Sequence, residues 1–185
     1  MPMEIGNERL VATCGSILPM ILVAILLSAC KDVDKLLTFR INDITDIRIE
    51  SSSPLNLPVE IPTPAVTSNS QQQYENNNTA KNLVKDVKLE EVKLTITDPP
   101  SKTFSFLKSI HLYISSDQSN EIELATSENV SATNTIYLEP TDAKLDVYAK
   151  APSYNLRTEV ETDETLTQSV DVRVDLKFVV TADTF

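Results

Sequence analysis

In residues 170–182, VDVRVDLKFVVTA, apolar side chains recur without exception at every second position. Apolar residues occupy every even-numbered position, and the opposite face begins with Asp171, Arg173, Asp175 and Lys177. A period of two is the repeat of a β-strand, whereas a helix repeats every 3.6 residues. The segment therefore predicts a long strand with one buried face. On its solvent face, the alternating charges indicate cross-strand ion pairs rather than a metal site or a catalytic carboxylate pair.

Shorter alternating segments predict further strands, which end at polar or proline-containing turns. Glu90-Glu91 shifts the phase of one segment, as a β-bulge does, and Asp98-Pro99-Pro100 ends it. Residues 163–169 have the composition of a hairpin loop between the last two strands. About eight strands predict an all-β fold, an antiparallel β-sandwich that is immunoglobulin-like in the broad sense. The alternating segments begin at Leu37, Val87, Ile110, Ile122, Ile136, Leu156 and Val170.

Residues 37–185 are predicted to form this sandwich as a single domain, with a long polar and proline-rich excursion at about 51–80. Both parts of the excursion, 51–64 and 68–79, are expected to be loops. A split into two domains near residue 80 is the alternative. At most one or two short helices are expected, and Thr141-Asp142 is a candidate cap for one that ends before Pro152.

Glycine is absent after Gly15, which restricts both the turns and the motifs of the chain. Turn residues with positive φ must then be Asn or Asp, because these tolerate the left-handed region best after glycine. The same absence excludes the glycine-dependent loops that bind nucleotides and the nucleophile elbow of hydrolases. The candidate turn residues are Asn42, Asp117, Asn120, Asn134 and Asp163.

The charge and the count of reactive side chains exclude further classes of protein. A formal net charge of −11 is unsuited to nucleic-acid binding, which needs a basic surface to neutralise phosphates. His111 is the single histidine, so neither a Cys/His zinc cluster nor a His-based triad with a cysteine nucleophile is expected. Between Ile110 and Leu112, it is expected to be a surface or packing residue. No cofactor, metal or catalytic residue is predicted.

The N-terminus carries an uncharged run, residues 10–27, whose last residue begins the sequence Leu27-Ser28-Ala29-Cys30. This ending resembles the lipobox of bacterial lipoproteins. The resemblance implies that residues 1–29 are a signal peptide and that signal peptidase II recognises Leu27, Ser28 and Ala29 and cleaves before Cys30. It also implies that the Cys30 thiol receives the lipid, leaving residues 30–36 as a tether. The alternative is an uncleaved membrane helix in which the cysteine occurs by chance.

The tether begins Lys31-Asp32-Val33-Asp34. Lys31, Asp32 and Asp34 resemble the short lysine and acidic signals that direct some lipoproteins to the cell surface. An outer-membrane protein facing the periplasm is the alternative location. The expected function is a non-enzymatic role in adhesion, scaffolding or envelope assembly, with the membrane as partner through Cys30 and no nucleic acid. The alternatives are a fimbrial subunit that donates residues 170–182 to a neighbour's sheet and a carboxylate-dependent hydrolase.

Overall fold

In a computed structural model of the chain, residues 37–51, 54–61 and 63–184 are described. Within these ranges, no helix has both the length and the apolar character needed to cross a membrane. Strands dominate the described residues, in which the two α-helices are short. The strands are β1 (Leu37–Ile49), β2 (Val59–Ile61), β3 (Val66–Thr67), β4 (Val84–Asp98), β5 (Leu107–Ser115), β6 (Ile122–Ser127), β7 (Thr135–Pro140), β8 (Ser153–Thr162) and β9 (Val170–Ala182), and the helices are α1 (Ser70–Asn76) and α2 (Asp146–Ala149).

The strands form a curled antiparallel sandwich in the order β1-β9-β4-β7-β6-β5-β8-β2, with β3 also paired to β8. The strand β7 belongs to both layers, because its first residues pair with β4 and its last residues pair with β6. One layer is therefore β1-β9-β4 and the other is β6-β5-β8-β2. This arrangement confirms the predicted all-β sandwich with short helices.

The core lies between the two layers and is built from the inward positions of the alternating strands. All seven even-numbered side chains of β9, from Val170 to Ala182, are buried. They pack with the inward faces of the neighbouring strands and with Phe104 and Phe106, which lie in a short 3-10 turn before β5. The alternation with a period of two thus gives the long strands one buried face and one face towards solvent.

One of the three register shifts of β4 against β9, and the end of this strand, are where the sequence predicts them. Its pairing with β9 shifts between Leu89 and Glu91, which is the predicted bulge at Glu90-Glu91. The strand ends at Asp98, directly before Pro99. Proline has no backbone N–H to donate to the ladder, which accounts for the end of the strand.

The predicted hairpin between β8 and β9 is wrong. These strands lie in different layers, since β8 pairs with β5 whereas β9 pairs with β1 and β4. Residues 163–169 cross from one layer to the other. Leu166 in this crossing is buried, and the backbone N–H of Asp163 donates to the Phe106 carbonyl at 3.1 Å. The composition of a loop shows that the chain turns there, but it does not show which strand the next strand pairs with.

The prediction of a loop at 68–79 is also wrong, because this tract contains α1. Tyr74 is 1% exposed, packs edge-on against Phe39 and donates its hydroxyl proton to the Ala149 carbonyl at 2.9 Å. One aromatic anchor therefore orders a segment whose other residues are mostly polar. The helix before Pro152 exists but is shorter than predicted, and the Thr141 hydroxyl bonds to the carbonyls of Glu123 and Leu124 instead of capping it.

Among the described residues, positive φ occurs at Asn56 (54°) and Asn78 (53°). The residue type matches the prediction, but the five predicted positions do not. Asn120 closes its turn with its side chain, which accepts the backbone N–H groups of Ser116 and Asp117. The side-chain hydrogen bond replaces the tight backbone turn that a positive φ would have supplied.

Candidate functional site

The sequence-predicted site residues lie outside the described part of the chain. They are Leu27, Ser28, Ala29, Cys30, Lys31, Asp32 and Asp34, and the description begins at Leu37. Leu37 pairs with Ala182, and Ala182 also pairs with Val84. These three residues define one end of the sandwich, the Leu37 end. Six residues separate Cys30 from Leu37, and seven steps of extended chain span at most about 25 Å.

Side chains on the solvent face of β9 form ion pairs with both neighbouring strands, as the alternating charges predict. Asp171 lies 2.6 Å from Arg48 of β1, and Lys177 lies 3.0 Å from Glu91 of β4. Asp175 is shared between Lys93, at 3.3 Å, and Arg173. In the described ranges, no group of three or more His, Cys, Asp or Glu residues could hold a metal ion. The charges of this face bind the strands to one another.

A second polar cluster covers the outer face of β5 and its neighbours. Tyr113 contacts both His111 and Arg157: its ring centroid lies 6.4 Å from that of His111, with the rings nearly parallel, and 3.9 Å from the guanidinium carbon of Arg157. Cross-strand register places Arg157 of β8 directly opposite Tyr113. A guanidinium over an aromatic face is an attractive cation–π arrangement. We call these three residues the outer stack.

Carboxylates surround the outer stack and pair with the guanidinium of Arg157 and the imidazole of His111. Arg157 pairs with Glu121 at 2.9 Å, Glu159 at 3.1 Å and Glu60 at 3.2 Å. The hydrogen bonds with Glu121 are the largest of the effects that raise the pKa of Arg157, so this side chain remains a cation.

Both ring nitrogens of His111 also lie close to carboxylates. Nδ1 lies 2.8 Å from Glu123 and 3.1 Å from the Thr126 hydroxyl, and Nε2 lies 3.3 Å from Glu128. The Thr126 hydroxyl is also 3.3 Å from the Ile110 carbonyl, to which it donates. In this geometry the imidazole links β5 to β6. The arrangement supports cross-strand cohesion better than proton transfer to a bound molecule.

Asp43 is a buried acidic residue that the sequence analysis did not identify. It lies in the middle of β1 and is 3% exposed. The signal was present, because Asp43 falls in phase with Phe39, Ile41 and Ile47 on the apolar face of the strand. The sequence predicts a turn at Asn42, whereas β1 continues through Asn42 and Asp43.

The surroundings of Asp43 favour its neutral form. One carboxyl oxygen, Oδ2, accepts the Tyr154 hydroxyl proton at 2.9 Å, while Oδ1 has no hydrogen-bond partner. Burial raises the pKa of Asp43, and the hydrogen bonds from Tyr154 and from the Asn69 backbone only partly oppose this. Burial and the nearby carboxyl also raise the pKa of Tyr154. The pair connects β1 to β8 across the core.

Comparison with known proteins gives little guidance to function. No protein family matches the chain, and no curated protein matches it. Among solved structures, the chain is similar to a protein in the three-dimensional structure of Cocksfoot mottle virus, with 8% sequence identity and a TM-score of 0.29. That alignment covers 100% of this chain and 95% of the viral chain. At this TM-score the likeness carries no functional inference.

Proposed function

We propose that the protein is a lipid-anchored outer-membrane protein that displays its β-sandwich at the cell surface in a non-enzymatic binding or scaffolding role. The observation that carries this proposal is the sequence Leu27-Ser28-Ala29-Cys30, which ends an uncharged run and stands seven residues before β1. Two or three acyl chains on one cysteine would anchor the protein stably, because each buried methylene contributes about 0.8 kcal/mol.

The geometry of the sandwich supports a display role. The 13 residues of β1 extend roughly 43 Å away from the Leu37 end at about 3.3 Å per residue. The pairing of Ile49 with Val170, and of Leu107 with Thr162, places four loops at the opposite end. The described residues of these loops are 50–51 with 54–58, 99–103, 128–134 and 163–169. A short tether at one end would hold all four away from the bilayer, where a partner can reach them.

The polar clusters of the described residues support a role without catalysis. The charges on β9 and around the outer stack are engaged in cross-strand pairs. The buried carboxyl of Asp43 faces the core and not a surface cleft. A glycosidase of the usual type needs two carboxyls facing a shared sugar site, and the groups described above do not supply that arrangement.

Metabolic labelling with a clickable fatty acid tests the anchor. We expect label on the wild-type protein, none on Cys30→Ser, and unchanged label on the matched control Cys14→Ser, since Cys14 lies inside the apolar run. The labelled protein should sediment with outer-membrane fractions. Label on Cys30→Ser equal to that on wild type would refute the proposal.

Protease treatment of intact cells tests the location. The proposal predicts that wild type is digested, while a variant with Asp32→Ala and Asp34→Ala is protected until the outer membrane is permeabilised. A periplasmic protein of the same cells serves as the integrity control. Protection of the wild type would place the domain in the periplasm, and digestion of both forms would remove the role assigned to the tether.

A further inference from the structure

A cavity of about 250 Å³ lies beside α1, where the segment from Ser68 to Tyr74 faces the residues that follow α2. We call it the α1 cavity. Its polar lining comes from two sides of the molecule that the Tyr74–Ala149 hydrogen bond joins. The lining residues that matter here are Ser68, Ser70, Gln71, Tyr74, Lys81 and Lys150.

The cavity belongs to the Leu37 end of the sandwich. Lys81 lies in the short 3-10 turn that leads directly into β4 at Val84, one of the residues that define this end. The turn is fixed there by the Asp183 N–H, which donates to the Leu83 carbonyl at 3.0 Å. Thr79 adds a second bond, from its hydroxyl to the Asp183 carbonyl.

The charge of the cavity lining is opposite to the charge of the chain. The chain has a net charge of −11, yet the lining contains two lysines and no carboxylate. The exposed Lys81 ammonium takes part in none of the ion pairs between described residues. A positively charged concave surface within a negative protein attracts an anion to that place.

Lys150 retains hydrogen-bonding capacity towards the cavity. Its ammonium donates to the Val84 carbonyl at 3.1 Å and lies 3.7 Å from Asp146. An ammonium has three N–H donors, so one remains for a ligand. The nearby Asp146 offsets part of the positive charge, which makes the free Lys81 the larger contributor to anion binding.

Neutral donors complete the lining. Ser68 Oγ accepts the Ser70 N–H at 3.1 Å, which leaves the hydroxyl proton of Ser68 free to donate. The Gln71 amide donates to the Glu75 carboxylate at 2.8 Å. Side chains with a donor therefore line the cavity from three separate segments of the chain, at Ser68, Lys81 and Lys150.

We infer that the α1 cavity binds a phosphate group. Several donors from different directions suit a tetrahedral anion with many acceptor oxygens. A cavity of about 250 Å³ corresponds to roughly eight water volumes at about 30 Å³ each, which leaves room for a phosphate and a short alcohol group. The inference that the cavity binds phosphate is independent of the proposed lipid anchor. The assignment of that phosphate to a phospholipid headgroup rests on the anchor, which would bring the Leu37 end close to the bilayer.

Amide-resolved NMR titration of the full chain in a neutral detergent tests the inference. The probes are inorganic phosphate, glycerol 3-phosphate and uncharged glycerol, at constant ionic strength. We expect saturable shifts at residues 68–71, 81 and 150–152 with both phosphates and none with glycerol. Lys81→Gln should raise the phosphate Kd about fivefold or more, the factor that corresponds to about 1 kcal/mol for a partly exposed charge pair.

Lys88→Gln is the matched control, because Lys88 is an exposed lysine on β4 outside the cavity lining. Tighter binding of glycerol 3-phosphate than of inorganic phosphate would identify a lipid headgroup, and equal binding would identify free phosphate. The inference is overturned if neither phosphate gives saturable shifts by about 50 mM, or if Lys88→Gln weakens binding as much as Lys81→Gln. Neither result depends on the lipid at Cys30, which the fatty-acid label reports separately.

Discussion

Replacing Leu176 by Ala tests the central position of β9 in the sandwich. Leu176 is 1% exposed and lies opposite Asp43 of β1 and Val92 of β4. Because β9 is paired on both edges, neither neighbouring strand can move inward to fill the space left by the missing side-chain atoms. We therefore expect a cavity rather than a collapsed core.

The expected loss is large compared with the stability of a domain. Buried Leu→Ala substitutions cost about 2–5 kcal/mol, with the higher values where the site cannot relax. A domain of this size has a free energy of unfolding of about 5–15 kcal/mol. Each kcal/mol lowers the melting temperature by about 2–4 °C, so the variant should melt roughly 4–20 °C below wild type.

Thermal unfolding followed by far-UV circular dichroism measures this loss, with Lys177→Ala as the control. Lys177 is the next residue along β9 and faces solvent, where its pair with Glu91 should contribute about 1 kcal/mol or less. If Leu176→Ala costs no more than Lys177→Ala, the packing argument is wrong. A melting temperature that rises with protein concentration would favour the fimbrial alternative, in which β9 completes another molecule.

Three further outcomes follow from the polar groups. Burial holds the pKa of Asp43 above its ordinary value of 3.8, so the free energy of unfolding should fall as pH rises from that value through the raised pKa. Urea titrations across this range should show a smaller fall for Asp43→Asn, which cannot titrate, and an identical fall in both proteins would contradict the assignment. Tyr74→Phe leaves the buried Ala149 carbonyl without its partner and should cost about 1 kcal/mol by the same titration. Arg157→Met leaves the three glutamates around it mutually repelling and should lower the free energy of unfolding by about 1 kcal/mol at low salt. This loss should shrink in about 1 M NaCl, because salt screens exposed charges. A loss independent of salt would contradict this.

The sequence predicted those structural elements that depend on residues close together in the chain. The alternation of residues 170–182 predicted β9 residue for residue, and the double glutamate predicted the bulge in β4. The pairing of strands was not predictable in the same way. The loop at 163–169 has the composition of a hairpin, yet it crosses between layers because Leu166 is buried in the core.

The polar groups of interest were harder to predict because their partners are distant in sequence. Tyr154 is 111 positions from Asp43, and nothing local indicates that the two meet. The α1 cavity combines Ser68, Lys81 and Lys150, which tertiary contacts bring together, among them the Tyr74–Ala149 and Lys150–Val84 hydrogen bonds. The predicted lipobox and tether residues, Cys30 among them, lie outside the described ranges and stay predictions.

The pairing of the first described strand with the last one bears on when the domain can fold. Leu37 meets Ala182, and within the described residues β1 has no other strand to pair with. During synthesis or translocation, β1 is therefore an apolar strand without a partner until nearly the whole domain is available to fold. Such a large sequence separation between contacting residues slows folding. Under the proposed export, this delay would keep the chain unfolded during translocation, because the sheet cannot close before β9 is available.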